Sequence, residues 1–494
     1  MTANFFDDLH DDNTPPTYRW FDGAKWKTSV NSHFIPVVSP IDHATLGRIT
    51  VVTHGEIDTA IANAHLAQAA WADKTVMERG KVLHLAADWI REHESYLTTL
   101  LVSEIGKPTD EAKDEILRSA DMIDYFAHEA LHMKGEQLPS DAFPGYDKSK
   151  ISIIERVPLG VVLAIAPFNY PVNLSVSKLA PALVTGNAVI YKPPTNGAIS
   201  GLHLTQIFRK AGVPDHVLVA VTGSGEDIGD YLVAHPGIDM ITFTGSSQIG
   251  KHAAGIAGMI PLLFECGGNN PALVLNDCNT EETALEIVKG AYSFAGQRCT
   301  AIKYVLGLSP DIERILPRVV ELTKQKIKMG DPRSPETKSV GPLITESAAK
   351  EVEARILAAE RAGAKIMLGG VRRGNYIEPT ILDYAKPDME IVRIETFGPV
   401  VSFIRVKNME EAVEIVNRST YGLQAAIYTA DEGTGIRLAQ KLHVGTVWIN
   451  SKPQRGPDHF PFLGIKGSGV GVQGIGYSLE AMTRLKPIVL NKPQ

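Results

Sequence analysis

The feature that most constrains the fold is a series of short, continuously apolar runs that alternate with helical segments in the middle of the chain. The runs cover residues 161–167, 188–191, 217–221, 240–243, 262–264 and 272–275. Turn residues separate them, as in Gly186-Asn187 and Thr244-Gly245-Ser246. Strands that are apolar throughout belong to parallel sheets with both faces covered, so this rhythm predicts an α/β fold. Such sheets bind ligands at the carboxyl ends of their strands.

Other patterns flank this stretch. Residues 56–131 follow the helical period, and the apolar positions on one face of the last helix are Ile116, Ala120, Ile123, Ala127 and Leu131. A second α/β stretch covers residues 278–464, with a helix at 346–362 and strands at 400–406 and 445–449. The closing strand, residues 484–491, is expected to pair with another element or subunit because an open edge invites aggregation.

Charge and cysteine content exclude several function classes. The 494-residue chain has 49 Lys+Arg against 56 Asp+Glu, a net charge of −7, so no global positive field attracts nucleic acid or anionic lipid. No stretch predicts a signal peptide or a membrane span. The cysteines, Cys266, Cys278 and Cys299, form no CxxC pair, which favours a reduced compartment over a disulfide framework. We expect a cytoplasmic globular protein with no nucleic-acid, membrane or metal partner.

Two short motifs indicate other activities but are incomplete. Residues 128–132 (HEALH) match HExxH, in which two histidines bind zinc and the glutamate acts as base. A zinc peptidase is therefore an alternative, although the third ligand position of the longer motif is Leu138. Residues 245–251 begin like a phosphate-binding loop, but His252 replaces the hydroxyl residue that ligates magnesium. The turn still leaves N–H groups at a helix N-terminus, which suits a diphosphate.

A cysteine and a glutamate are the candidates for covalent catalysis. Cys299 follows Arg298 just past an apolar helical stretch, where its pKa is expected to fall and its thiolate to act as nucleophile. A lone cysteine is more often a small buried residue, so this segment alone leaves both interpretations open. Glu265 ends an apolar run and precedes Gly267-Gly268, where a carboxylate near the crevice can activate water.

Over nearly its whole length the sequence resembles the aldehyde dehydrogenase superfamily. The stretches that carry the resemblance are 167–171 (PFNYP), 192–194 (KPP), 243–246 (FTGS), 265–268 (ECGG), 296–299 (GQRC) and 397–399 (FGP). The resemblance implies that Cys299 is the nucleophile, Glu265 the general base for deacylation and Asn169 an oxyanion donor. One departure is Cys266, since the family usually has leucine after the catalytic glutamate.

The same resemblance implies a nicotinamide cofactor, NADP, with NAD as the other possibility. The implied cofactor residues are Ala166, Pro167, Phe168, Lys192 at the adenosine ribose, Thr195, Asp230, Gly245 and Ser246 at the diphosphate, and Glu395 and Phe397 at the nicotinamide ribose. Many NAD-preferring relatives carry a glutamate three residues after the lysine, where it would repel a 2′-phosphate. The neutral Thr195 at this position predicts a preference for NADP.

Within the superfamily, the segment 452–462 (KPQRGPDHFPF) is similar to that of the non-phosphorylating glyceraldehyde-3-phosphate dehydrogenases. The resemblance implies a substrate site made of Arg118, Tyr170, Arg298, Thr300 and Arg455. Guanidinium groups suit a phosphate because their planar fork donates several charge-assisted hydrogen bonds. We expect irreversible oxidation of D-glyceraldehyde 3-phosphate, a small phosphorylated aldehyde, to 3-phosphoglycerate with NADP and without inorganic phosphate. The alternatives are a dehydrogenase of another small aldehyde, such as glyceraldehyde or a semialdehyde, and a non-catalytic binding protein.

The resemblance finally implies three structural units. They are a Rossmann-like cofactor-binding domain at residues 1–138 and 156–267, a second α/β catalytic domain at 268–465, and a small β oligomerisation element at 139–155 and 466–494. In that element the strand around 151–154 and the C-terminal strand would bridge subunits. The expected assembly is a homodimer or a homotetramer.

Overall fold

Helices and strands alternate along most of the chain in the computed structural model, which describes residues 3–492. Residues 1–2 and 493–494, at the ends of the expected domains, lie outside the described residues. The α-helices are α1 (Ala3–Phe6), α2 (His54–Ala72), α3 (Val76–Glu92), α4 (Glu94–Ile105), α5 (Thr109–Glu129), α6 (Asn173–Val184), α7 (Ala198–Lys210), α8 (Gly225–Val233), α9 (Ser247–Ile256), α10 (Thr280–Tyr292), α11 (Ser309–Lys326), α12 (Glu346–Arg361), α13 (Glu390–Arg393), α14 (Met409–Arg418), α15 (Glu432–Ala439) and α16 (Ile475–Ala481).

The strands are short and mostly buried. In chain order they are β1 (Thr17–Tyr18), β2 (Trp20–Phe21), β3 (Trp26–Lys27), β4 (Phe34–Val38), β5 (Thr45–Thr50), β6 (Glu136–Pro139), β7 (Lys150–Pro158), β8 (Val161–Ile165), β9 (Ala188–Lys192), β10 (Leu218–Ala220), β11 (Met240–Thr244), β12 (Leu262–Glu265), β13 (Asn270–Val274), β14 (Ile302–Gly307), β15 (Lys328–Met329), β16 (Ser339–Val340), β17 (Lys365–Leu368), β18 (Arg372–Arg373), β19 (Tyr376–Ile377), β20 (Thr380–Asp383), β21 (Val400–Arg405), β22 (Gln424–Tyr428), β23 (Thr446–Ile449), β24 (Gly469–Val470) and β25 (Thr483–Asn491).

The first large sheet has the order β24-β12-β11-β8-β9-β10-β2-β3, and its strands from β12 to β10 are parallel. From β8 the chain adds β9 and β10 on one side and then returns to add β11 and β12 on the other. The junction of β8 and β11 is therefore a topological switch point, and the loops at the carboxyl ends of these strands enclose a crevice for ligands. The apolar runs predicted this part of the fold correctly.

The second large sheet has the order β17-β20-β21-β14-β13-β22-β23, and all its pairs except β17 with β20 are parallel. Its central strands β13, β14 and β22 are buried along their whole length. The loops that precede β14 and β21 lie at the amino ends of these strands and face the carboxyl ends of the first sheet. The candidate site lies between these two edges.

A separate antiparallel sheet has the order β25-β7-β6. Strand β25 pairs with β7 along its whole length, from Thr483 opposite Pro158 to Asn491 opposite Lys150. The closing strand therefore pairs with another element, as expected, and it forms one edge of this sheet. The segment 466–494 was expected to belong to the oligomerisation element alone, but its strand β24 joins the first large sheet beside β12. The chain crosses back to that sheet before it reaches β25.

The expected helical segment is confirmed except at its end. Residues 56–131 form four helices, and capping boxes in which Thr53 and Thr75 bond reciprocally with Glu56 and Glu78 start the first two. The buried face expected on α5 does not extend to Leu131, which is 51% exposed. This expectation was wrong because α5 ends before Leu131 and a 3-10 turn re-aims the side chain.

Within residues 3–492, no helix has the length and hydropathy needed to cross a bilayer.

Candidate active site

A strained turn presents Cys299 to the crevice. Between α10 and β14 three consecutive residues have left-handed backbone conformations: Phe294 (φ 47°), Ala295 (φ 52°) and Gly296 (φ 67°). A Cβ at Gly296 would lie 2.2 Å from the carbonyl oxygen of Gly398, so only glycine fits there. Positive φ at two non-glycine residues is costly and is retained where the surrounding structure enforces it, often at functional sites.

The thiol of Cys299 faces the carboxylate of Glu265. Its Sγ donates to Oε1 of Glu265 at 3.6 Å, although the two residues come from different sheets. Asn270 holds the nucleophile loop in place, because its Nδ2 donates to the carbonyl oxygens of Cys299 and Ala301, both at 2.8 Å. A Cβ at Gly268 would lie 2.2 Å from the Cys299 carbonyl oxygen. Gly268 thus permits the close approach of the loop after Glu265 to the loop that carries Cys299.

The environment of Cys299 differs from the one expected from the sequence. Burial raises the pKa of the Cys299 thiol well above its ordinary value, and the carboxylates of Glu265 and Glu395 act in the same direction. The guanidinium groups of Arg455 and Arg298 oppose this effect but do not outweigh it. The expected fall in pKa was therefore wrong for the chain without ligands. The surroundings of Cys299 therefore favour the protonated thiol.

The second oxygen of Glu265 is held by a guanidinium group. Nη1 of Arg455 donates to Oε2 of Glu265, and the two side chains are 14% and 2% exposed. Nη2 of Arg455 donates to Oε1 of Gln473 at 2.7 Å. The guanidinium also lies 5.0 Å from the ring centroid of Phe462. An arginine assigned to the substrate phosphate therefore touches the residue assigned as general base.

Asn169 lies in the loop that follows β8. It is buried, and its Nδ2 donates to the carbonyl oxygen of Gln297 at 3.0 Å. The Gln297 side chain anchors the same loop by accepting from the N–H of Ile344 at 2.9 Å. Asn169 and Cys299 line one cavity.

A small cavity next to Cys299 contains every residue that the sequence assigned to the substrate. Its lining residues are Arg118, Tyr170, Asn173, Leu174, Glu265, Arg298, Cys299, Thr300 and Arg455. Arg298 is only 8% exposed and donates to Oγ1 of Thr300 at 3.1 Å. In the described part of the chain no carboxylate lies within 4.0 Å of the Arg298 guanidinium. The buried Glu111 interacts with Arg298 through space but does not touch its guanidinium. A buried guanidinium with no anion in contact is costly, so this cavity is suited to an anion.

The other two arginines of this cavity already have carboxylate partners. Arg118 on α5 makes a two-pronged contact with Asp458, in which Nε donates to Oδ2 and Nη2 to Oδ1, both at 2.8 Å. Its Nη2 also donates to the carbonyl oxygen of Arg455 at 2.7 Å. Asp458 lies within the segment that suggested the substrate, but the sequence gave no reason to pair it with Arg118. These contacts fix the loop that carries Arg455 against α5.

A buried ion pair supports this cavity from behind, and nothing in the sequence pointed to it. Lys107 and Glu115 are both fully buried and form an ion pair. The ammonium group lies 3.5 Å from the ring centroid of Tyr170. Oε1 of Glu115 accepts from the N–H groups of Val172 and Asn173 at 3.0 and 3.1 Å. The pair therefore orients Tyr170 and the start of α6.

A larger cavity opens at the switch point of the first sheet and reaches Cys299. Its lining includes the predicted cofactor residues Ala166, Pro167, Phe168, Gly245, Ser246, Glu395 and Phe397. The rings of Phe168 and Phe397 meet edge to face, with centroids 5.9 Å apart. At the N-terminus of α9, Oγ of Ser247 is buried and has no hydrogen-bond partner in residues 3–492. An orphaned donor at a helix N-terminus is suited to a diphosphate.

Three predicted cofactor residues do not line this cavity. Lys192 ends β9 and is buried, and burial lowers the pKa of its ammonium group to about 8 although Asp227 opposes the shift. Thr195 follows in the next loop and is half-buried. Asp230 on α8 accepts from Nε2 of His252 on α9 at 2.9 Å, and both side chains are exposed. The structure thus separates these positions from the part of the crevice that reaches Cys299.

Two buried lysines near the site, which no sequence motif identified, have pKa values below that of a free lysine. Burial lowers the pKa of Lys303 to about 8, and it raises the pKa of Glu395 to about 7. Oε1 of Glu395 accepts from the N–H of Gly268 at 3.0 Å. Lys178 is fully buried, and burial lowers its pKa to about 7; its Nζ donates to Oγ1 of Thr244 at 2.7 Å. The sequence did not indicate these lysines because their surroundings form only in the folded chain.

The HExxH motif lies far from this arrangement. Helix α5 ends at Glu129, so His128 and His132 do not share one continuous α-helix, and their ring centroids are 5.1 Å apart. Between residues 3 and 492 no group of three His, Cys, Asp or Glu side chains is arranged to hold a metal ion. The three cysteines are free in the same range.

Comparison with known proteins identifies the relatives of this arrangement. The sequence profile of the aldehyde dehydrogenase family matches residues 26–488. The NADP-dependent glyceraldehyde-3-phosphate dehydrogenase of Triticum aestivum is 41% identical over 478 residues, covering 96% of each chain. That of Streptococcus equinus is 42% identical over 474 residues, covering 96% of this chain and 98% of the relative. The crystal structure of the Bacillus halodurans enzyme complexed with NADP has a TM-score of 0.94 at 44% identity, covering 96% of this chain and 99% of that one.

Proposed function

The chain belongs to the aldehyde dehydrogenase family, and we propose that it oxidises D-glyceraldehyde 3-phosphate to 3-phosphoglycerate with NADP, through a thioester on Cys299 and without inorganic phosphate. The observation that carries this proposal is the buried Arg298, which has no carboxylate partner in the described chain and lines the same cavity as Cys299. The phosphate of the substrate would be the anion in direct contact with this guanidinium. The relatives that are 41–42% identical act on the same aldehyde by name.

The residues present fit NADP at the switch point. Ser246 and Ser247 at the N-terminus of α9 would hold the diphosphate, and the orphaned Oγ of Ser247 gains a partner there. Lys192 with the neutral Thr195 would accept a 2′-phosphate without repulsion. Glu395 and Phe397 would hold the nicotinamide end beside Cys299. When bound, NADP supplies the acceptor for the hydride that leaves the substrate carbon.

Acylation begins with the removal of the Cys299 proton by Glu265, to which the thiol already donates. The thiolate attacks the aldehyde carbon, and the carbonyl oxygen becomes an oxyanion. Nδ2 of Asn169 and the backbone N–H of Cys299 would donate to that oxygen. One such donor contributes about 3 kcal/mol to lowering the barrier. Loss of the hydride from the same carbon then leaves a thioester on Cys299.

Deacylation uses the same carboxylate with water. Glu265 first passes to solvent the proton that it took from Cys299. It then takes a proton from a water molecule while the oxygen of that water bonds to the thioester carbon. The carbon–sulfur bond then breaks, the Cys299 thiolate leaves, and 3-phosphoglycerate departs. Because water is the acyl acceptor, inorganic phosphate has no part in the reaction. The arginine cavity holds the phosphate end throughout and so keeps the carbonyl carbon near Cys299.

The experiment that tests the proposed substrate compares two aldehydes with NADP. We expect kcat/KM for glyceraldehyde 3-phosphate to exceed that for unphosphorylated glyceraldehyde by about 100-fold or more, because two or more charge-assisted hydrogen bonds are made only to the phosphate. Equal values for the two aldehydes would show that the cavity does not select the phosphate. The chain would then be a dehydrogenase of another small aldehyde.

We also propose how the units of the chain are used. Residues 1–138 and 156–267 form the cofactor-binding domain, residues 268–465 the catalytic domain, and segments 139–155 and 466–494 the oligomerisation element. That element supplies β25 and most of β7 to the β25-β7-β6 sheet, whose third strand, β6 (Glu136–Pro139), begins just before it. Exposed apolar side chains on that sheet, such as Leu138, Leu485 and Val489, support a homodimer or homotetramer. The free cysteines support a reduced, cytoplasmic location. Light scattering behind gel filtration tests the assembly.

A further inference from the structure

Both oxygens of Glu265 are engaged in the chain without substrate. Oε1 accepts from Sγ of Cys299 at 3.6 Å, and Oε2 accepts from Nη1 of Arg455. Arg455 also lines the cavity in which Arg298 lacks a counter-ion. A single guanidinium group therefore touches the general base and borders the place where the substrate anion would lie.

The remaining contacts of Arg455 leave Glu265 as its main counter-ion. The other carboxylate near it is Asp458, whose Oδ1 lies 3.9 Å from Nε of Arg455. Asp458 is already held by both prongs of Arg118 at 2.8 Å. The contact with Gln473 is to a neutral amide oxygen. A dianion that enters the cavity therefore competes directly with Glu265 for the Arg455 guanidinium.

We propose that Arg455 is a specificity-determining switch, which occupies Glu265 in the free enzyme and releases it when the anionic group of the substrate binds. The proposal rests on the proposed function. A phosphate dianion offers two charges and several acceptor oxygens, so it outcompetes a carboxylate for the fork of one guanidinium. In the thioester Cys299 carries no proton, so Oε1 of Glu265 is already free. Release of Arg455 then also frees Oε2 and leaves the carboxylate without a paired cation when water attacks. A neutral aldehyde forms the thioester but leaves Arg455 on Glu265.

The step that the switch controls is hydrolysis of the thioester. In it the carboxylate of Glu265 takes one proton from water, a carbon–oxygen bond forms at the acyl carbon, and the carbon–sulfur bond breaks to release the Cys299 thiolate. No electrons are transferred in this step, because the substrate has already been oxidised by NADP. The ammonium group of the nearby Lys178 also interacts with both partners, since Glu265 raises its pKa and Arg455 lowers it. Its Nζ donates to Oγ1 of Thr244 and to the carbonyl oxygen of Leu174.

The test separates the substrate into two pieces, unphosphorylated glyceraldehyde and inorganic phosphite. With NADP and glyceraldehyde alone, we expect a burst of NADPH followed by a slow steady state that reports hydrolysis of the thioester. Phosphite, at concentrations that compete with glyceraldehyde 3-phosphate, should raise the steady-state rate about tenfold, as expected for a charge-assisted contact exchanged between two anions. Competition by phosphite without such acceleration would overturn the switch, and this measurement needs no variant.

The variant Arg455→Gln separates the switch from simple phosphate binding. We expect its steady-state rate with glyceraldehyde alone to rise towards that of the phosphite-activated enzyme, and we expect phosphite to have no further effect. A rate equal to or below that of the original enzyme would overturn the switch. The matched control is Arg418→Gln on the exposed face of α14, which should keep both the slow basal rate and its activation. The melting temperature of each variant reports whether it is folded.

Glyceraldehyde 3-phosphate is measured in parallel with the unaltered enzyme. Turnover of this aldehyde with NADP, together with an unchanged Arg455→Gln rate on glyceraldehyde, would overturn the switch and leave the proposed function standing. Absence of that turnover would overturn the proposed function itself. The two failures are therefore distinguishable.

Discussion

The guanidinium of Arg298 donates to the hydroxyl of Thr300, and Cys299 lies between these two residues in the chain. The arginine that lacks a carboxylate partner is thus attached to the nucleophile loop itself. Its charge is held beside the reacting carbon by a neighbour that cannot neutralise it. In this way the loop that carries the thiol also carries a binding group for an anionic substrate.

Replacement of Arg298 should lower kcat/KM for the phosphorylated aldehyde much more than for the unphosphorylated one. For Arg298→Gln we expect kcat/KM with glyceraldehyde 3-phosphate to fall about 100-fold, because a charge-assisted contact to the phosphate is lost. The loss with unphosphorylated glyceraldehyde should be much smaller. Steady-state kinetics with NADP measure both, and Arg418→Gln is the matched surface control. An equal loss with both aldehydes would indicate a structural role for Arg298 instead.

The neutral Thr195, three residues after Lys192, should set the preference for NADP over NAD. Thr195→Glu places a carboxylate where the 2′-phosphate of NADP would lie, so we expect the ratio of kcat/KM for NADP to that for NAD to fall by about tenfold or more. Thr195→Gln has a similar size without the charge and should change the ratio much less. An unchanged ratio in Thr195→Glu would show that the preference is set elsewhere.

The thiol of Cys299 should react slowly at neutral pH when no cofactor is bound. Burial and two carboxylates raise its pKa, so the thiolate is scarce at pH 7 and its fraction grows only as the pH rises past about 8.5, the value of a free cysteine. The rate of alkylation by iodoacetamide, with the modified residue identified by mass spectrometry, should therefore still be increasing above that pH. Glu265→Gln removes one negative charge and should move the profile to lower pH. An inflection below the free-cysteine value would contradict this account of the loop.

The glycine beside the nucleophile loop should tolerate no side chain. In Gly268→Ala the new Cβ would lie 2.2 Å from the Cys299 carbonyl oxygen, so the loop must shift. Because a displacement of about 1 Å at the reacting atoms costs about 100-fold in rate, we expect a loss of that order in kcat. Gly476→Ala in α16 is the control, since no atom lies within 4 Å of its new Cβ. Its kcat should be unchanged, and its melting temperature the same or slightly higher. A fully active Gly268→Ala enzyme would rule out the close approach.

The sequence predicted the first large sheet well, for a physical reason. A strand buried on both faces must be apolar throughout, and β8, β9, β11 and β12 therefore appear as continuous apolar runs. The candidate site residues at the ends of those strands followed from the same pattern and from the family motifs. Polar residues far from a motif gave no comparable signal, and Asn270, which fixes the nucleophile loop, was missed for that reason.

Pairings between distant segments could not be predicted from spacing. Arg118 and Asp458 are 340 positions apart, and Arg455 and Glu265 are 190 apart, so only the folded chain brings them together. The pKa of Cys299 was misjudged for a related reason. The motif identifies the residue, but the direction of its shift depends on how deeply the loop is buried and on which carboxylates face it.

The measurement that tests the central claim most directly is NADPH formation from glyceraldehyde 3-phosphate in phosphate-free buffer, with the product identified. We expect turnover that needs no added phosphate and yields one 3-phosphoglycerate for each NADPH, because water deprotonated by Glu265 releases the acyl group from Cys299. Turnover that depends on inorganic phosphate, or a product that carries a second phosphate, would contradict the mechanism.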